Sequence, residues 1–86
     1  MPLYHFHLRT DDMLISDEEG VDRRNFEAAY LAAIAGARDI MASQVRDGHL
    51  MLDDAVELHD AAGVHLATIK FADALRISFR AGLTET

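Results

Sequence analysis

Tyr4-His5-Phe6-His7-Leu8-Arg9 alternates without a break, with Tyr4, Phe6 and Leu8 in one phase and His5, His7 and Arg9 in the other. A period of two is that of a strand with one face buried and one wet. Thr10-Asp11-Asp12 is a polar turn, and Met13-Leu14-Ile15-Ser16 returns as a second short strand, so the pair reads as a hairpin. Asp17-Glu18-Glu19-Gly20 ends it, with Gly20 free to take a positive φ.

Beyond the hairpin the period changes. Asn25 stands where a helix N-cap belongs, and Glu27 lies in the first turn, where the helix dipole favours an acid. From Phe26 to about Arg46 the spacing predicts one long helix, with Phe26, Tyr30, Ala33, Ala37, Ile40, Met41, Gln44 and Val45 as its apolar stripe and Gly48 as its stop. Leu31 and Ile34 lie off that stripe. Gly36 sits mid-helix, where it favours close approach of a strand or a partner helix; Met13, Met41 and Met51 read as core filler.

Period two then resumes. Ala55-Val56-Glu57-Leu58-His59 is a third strand, Asp60-Ala61-Ala62-Gly63 a tight turn, and Val64 to Phe71 a fourth strand. In the tail, Leu75, Ile77 and Phe79 alternate with Arg76, Ser78 and Arg80 as a fifth strand would, and the strand reading is preferred there to a helical turn. Two hairpins joined by one long helix make an α+β fold. It is a single ββαββ domain over residues 1–86, with core 3–71 and tail 72–86, its antiparallel sheet carrying the helix on one face. The other face then carries His5, His7, Glu57 and His59.

Several motifs together resemble a known family. Met1-Pro2-x-Tyr4-x-Phe6-His7, Asp17-Glu18-Glu19-Gly20, Glu27-Ala28-Ala29 and Asp60-x-x-Gly63 are similar in order and spacing to a group of short bacterial proteins classed as a domain of unknown function. The resemblance runs to about Leu75. It implies a free-standing ββαββ domain, and it brings no activity, cofactor or catalytic residue.

Composition narrows the function classes. The 86 residues include no cysteine and carry 15 acidic against 8 basic side chains, a formal net charge of −7. The basic residues are scattered, so no broad face is built for a polyanion, and nucleic acid is not an expected partner. No apolar run approaches the roughly 18 residues that span a bilayer, and no charged leader precedes an apolar stretch, so a cytoplasmic protein without membrane association is expected. The glycines are isolated, and Ser16, Ser43 and Ser78 lack the flanking glycines of a nucleophile elbow. No catalytic residue and no cofactor is therefore assigned.

The one chemically suggestive set is His5, His7 and His59. Strand residues i and i+2 put two imidazoles on one face, a spacing able to hold zinc, nickel or copper, and His59 or Glu57 is the candidate third ligand. The competing reading makes these ordinary polar residues of a wet or dimer-facing sheet. Asp11-Asp12, Asp17-Glu18-Glu19 and Asp53-Asp54 all fall at turns, where solvated acids are common. Taken together the sequence points to a non-enzymatic interaction or regulatory module working as a homodimer, with metal or small-ligand binding through His5/His7 as the alternative.

Overall fold

A computed structural model describes residues 1–80. The strands are β1 (Leu3–Arg9), β2 (Leu14–Ile15), β3 (Val21–Asp22), β4 (Ala55–Asp60) and β5 (His65–Lys70). One helix, α1 (Phe26–Arg46), follows β3, and a 3-10 turn, Phe71–Ala74, follows β5. All pairings are antiparallel, in the order β2-β1-β4-β5, with β3 also on β1.

The α+β reading stands, with one refinement. β2 and β3 are two ends of a single strand lying along the same side of β1: Ile15 faces Leu8 and Val21 faces Tyr4. Five residues, 16–20, thus lie opposite only three, 5–7, and the surplus bulges out of the sheet. A two-residue strand has no readable period, which is why β3 escapes sequence analysis.

The helix starts where expected. Asn25 is extended, and its side-chain Oδ1 accepts the Ala28 N–H at 2.9 Å. At the other end the N–H groups of Asp47, Gly48 and His49 bond back to Ser43, Gln44 and Val45 carbonyls, with Gly48 at φ +90°. The buried stripe is Ala29, Ala33, Ala37 and Met41. Phe26, Tyr30 and Val45, assigned to the stripe by spacing, are exposed, whereas Ile34 packs on the core. Alanine at every fourth position brings the helix axis close to the sheet, so the larger side chains splay to the flanks. Gly36 has open space about it, contrary to the close approach expected there. Of the methionines, Met41 is buried while Met13 and Met51 are exposed.

Leu58 and Phe71 are fully buried and centre the core, with Tyr4, Val56, Ile69 and Ala74 around them. After β5 the chain turns inward: the Phe71 and Ala72 N–H groups donate to the Asp54 and Leu52 carbonyls, and the Arg38 guanidinium donates to the Ala74 carbonyl at 2.7 Å. Residues 75–80 form no strand, correcting the fifth strand expected there. They leave the domain without a pairing partner in the sheet. The rest of the tail, 81–86, lies outside the described residues.

Candidate functional site

The sheet face turned away from α1 collects four histidines from three strands. Tyr4, Phe6 and Leu8 pack toward the helix, which leaves His5, His7 and Arg9 on the other side. In the register of β1 with β4, His5 faces His59 and His7 faces Glu57. On β5, His65 faces His59. The rings run in a row, with centroids 5.9 Å apart for His5 and His7, 4.6 Å for His7 and His59, and 5.3 Å for His59 and His65.

His65 had no distinguishing spacing in the sequence. Its position comes from the turn, where the Asp60 carboxylate accepts the N–H groups of Ala62 and Val64 and Gly63 takes φ +85°. That tight closure, with an irregularity beside Leu58/His59, sets the two histidines opposite each other. A short Asp-x-x-Gly turn flanked by His on both sides is the signal that could have revealed this pair.

Asp17 organises one end of the row. Its backbone N–H donates to His7 Nδ1 at 2.9 Å, and its carbonyl accepts from His5 Nδ1 at 2.7 Å. Its carboxylate accepts the Phe6 N–H at 3.0 Å and the Gly20 N–H at 3.1 Å. One residue thereby supplies the partner of the Phe6 N–H in the stretch of β1 edge that the bulge leaves without a strand partner, and holds both β1 histidine rings beside it. Sequence analysis read Asp17 as a solvated turn acid, because a bond to a strand eleven residues earlier leaves no local trace. Gly20 completes the knot at φ +76°, so close to β1 that a Cβ there would lie 2.9 Å from the Tyr4 carbonyl oxygen.

These bonds decide what the imidazoles can offer. His5 carries its proton on Nδ1, leaving Nε2 with a free lone pair. His7 accepts at Nδ1, so the neutral ring carries its proton on Nε2 and presents no second lone pair. Burial, with the neighbouring His59 and His5 charges, lowers the His7 pKa against the opposing pull of Asp17 and Glu57. His59 faces acceptors through both nitrogens, the Gly63 carbonyl and the Glu57 carboxylate, each at 3.3 Å. His65 Nε2 is paired with the Thr68 hydroxyl at 2.7 Å. The Arg9 guanidinium donates to Glu57 at 2.8 Å and, against the effect of burial, holds that carboxyl below its usual range.

The structure therefore brings His5, His7, His59 and Glu57 together as neighbours. Among the described residues, however, no group of three or more His, Asp or Glu is arranged to hold a metal ion. Two of the three candidate imidazoles are poorly placed for it: His7 carries its proton on Nε2, and both nitrogens of His59 face oxygen atoms at 3.3 Å.

The geometry so far defines a small α+β domain whose four-histidine sheet face is organised by hydrogen bonds to its own backbone. The chain belongs to the family described as a domain of unknown function, DUF6894, which matches residues 3–72. The match ends in the 3-10 turn, so residues 75–80 lie beyond it. Comparison with curated proteins and with solved structures gives no match. Among the described residues, no helix is long and apolar enough to cross a membrane.

Proposed function

We propose that this chain is a small, non-enzymatic protein-interaction module of the cytoplasm, regulatory or adaptor in role, that works as a homodimer. The observation carrying this reading is apolar surface in two exposed places. Met13, Leu14 and Ile15 line the outer strand β2, and Leu75, Ile77 and Phe79 project from the segment after the 3-10 turn, Phe79 being 90% exposed. Scattered exposed hydrophobics are ordinary on a monomer, whereas runs grouped on an unpaired strand edge and a strand-patterned segment are features of surfaces that pair. A small domain also has a thin core and gains proportionately from partner surface.

Multi-angle light scattering at tens of micromolar tests the proposal. A mass of about 19 kDa, twice the 9.5 kDa of one chain, is expected. A strict 9.5 kDa species across that range overturns it. Metal binding through His5 and His7 has less support, because the Asp17 N–H at His7 Nδ1 places that ring's proton on Nε2, so of the pair only His5 keeps a free lone pair. Metal analysis of protein made without a histidine tag is expected to find an empty face at stoichiometric zinc.

A further inference from the structure

Residues 75–80 combine three properties that define an occupant for the β2 edge. They carry the alternation of a strand, with Leu75, Ile77 and Phe79 in one phase and Arg76, Ser78 and Arg80 in the other. They are exposed throughout and belong to no element. They also bear two positive charges in a chain whose net charge is −7.

The β2 edge has the opposite character. Met13 is 56% exposed and Ile15 49%, and Ile15, opposite Leu8, lies on the helix side of the sheet. Asp11 and Asp12 precede β2 and Glu18 and Glu19 follow it. All four are exposed, and among the described residues none of them is in an ion pair. The other sheet edge, β5, is a poorer match, since its exposed Lys70 repeats the sign of Arg76 and Arg80.

We infer that residues 75–80 of one copy add as an antiparallel strand to the β2 edge of a second copy, reciprocally about a two-fold axis. This deepens the homodimer reading and rests on it. With Ile77 opposite Ile15, strand parity sets Phe79 opposite Met13 and brings Arg80 to the Asp11-Asp12 hairpin turn. Ile77 and Phe79 then meet Ile15 and Met13 on the helix side, and Arg80 meets the two acids of the turn. Arg76, one turn of the pleat away, reaches the Glu18-Glu19 end. Backbone groups on the β2 edge gain partners, the recognition mode of strand addition. A two-fold arrangement satisfies both copies and closes the assembly at two.

The segment leaves the domain beside α1 and β5, and β2 lies at the opposite edge of the sheet. Two intervening strands at about 4.8 Å spacing separate them, which favours exchange over folding back.

Because the chain has no cysteine, single-cysteine variants report the register directly. Met13→Cys and Phe79→Cys proteins, mixed and oxidised, are expected to give a mixed disulfide dimer, while Leu66→Cys on β5 mixed with Phe79→Cys is not. Removing residues 76–86 is expected to convert the dimer to a monomer with an unchanged far-ultraviolet dichroism shape. Arg76→Glu with Arg80→Glu is expected to raise the dimer dissociation constant about tenfold or more, an effect weakened by salt. A wild-type monomer overturns the homodimer reading itself. A wild-type dimer that survives the truncation and gives no Met13–Phe79 cross-link overturns this surface alone.

Discussion

Replacing Gly20 by alanine tests the knot at Asp17 more directly than any charge change, because two independent penalties coincide there. The residue has φ +76°, and a left-handed conformation costs an L-residue about 1–2 kcal/mol. The added Cβ would also stand 2.9 Å from the Tyr4 carbonyl oxygen and 3.0 Å from both His5 and Leu3 side-chain atoms. The carbonyl belongs to the paired backbone of β1 and cannot swing aside, so a further cost of about 1–3 kcal/mol is expected. Together these reach about 2–5 kcal/mol, a large share of the few to about 13 kcal/mol available to a domain of this size. Gly63 supplies the control: φ is +85°, but nothing lies within 4 Å of its Cβ position, so Gly63→Ala carries the conformational term alone. Gly36 lies in the helix with open space around it, and Gly36→Ala is expected to stabilise by up to about 1 kcal/mol. Urea unfolding orders the three. With a slope of about 1 kcal/mol per molar, the midpoint for Gly20→Ala should fall at least 1 M below that of Gly63→Ala, and Gly36→Ala should lie above wild type. Equal midpoints for Gly20→Ala and Gly63→Ala would refute the packing of residues 16–20 against β1.

Four further outcomes follow from the same structure. The His7 pKa is lowered in the fold, so the unfolded chain binds more protons just below pH 6.5 and stability falls as the pH drops from there toward the folded value; urea midpoints between pH 5 and 7.5 should show this slope reduced in His7→Ala, and a His7 resonance titrating at or above 6.5 would contradict it. Glu57 behaves likewise at lower pH, its contribution being present above 4.5 and lost as the pH falls below, a slope that Arg9→Ala should diminish. Asn25→Ala removes the acceptor for the Ala28 N–H and should cost about 1 kcal/mol by chemical denaturation, while Asn25→Asp should cost little. Leu58→Ala, at a fully buried site, should cost about 2–5 kcal/mol, against no more than about 0.5 for Leu31→Ala on the exposed helix flank.

The two periods in the sequence carry the architecture because each describes one element against one core. Tyr4-Phe6-Leu8 and Val56-Leu58 alternate since a single helix covers a single face, and Asn25 and Gly48 punctuate that helix through contacts within one turn. What the sequence conceals is nonlocal. Asp17 looks like any turn acid until the bulge places it beside Phe6, and Val21–Asp22 is too short to show a period. Phe26 and Tyr30 fit the helical spacing, yet the alanine row outcompetes them, because small residues let α1 sit lower and leave no room for rings at the interface. Residues 75–80 show the opposite failure: the strand pattern is present, but no sheet edge of the same molecule receives it.

The histidine face is best understood through His7, whose pKa is lowered by burial and by the neighbouring His59 and His5. Its ring centroid lies 5.9 Å from that of His5 and 4.6 Å from that of His59, close enough for a positive charge on either neighbour to disfavour one on His7. His7 has the least freedom of the four, because the Asp17 amide aims a proton at its Nδ1, a bond that exists only while that nitrogen keeps its lone pair. Metal binding would make a second demand on the same ring, drawing a lone pair from Nε2 when the hydrogen bond has already placed the proton there. Satisfying both needs an imidazolate, which two carboxylate-bearing neighbours do nothing to favour. The row is thus organised to close the middle of β1, between β2 and β3, by hydrogen bonds rather than by a continuous partner strand. The consequence reaches the outer edge, since the same bulge that Asp17 anchors carries Glu18 and Glu19 next to β2. The acidic border of the edge proposed to receive residues 75–80 is therefore positioned by His5 and His7 from the face behind it.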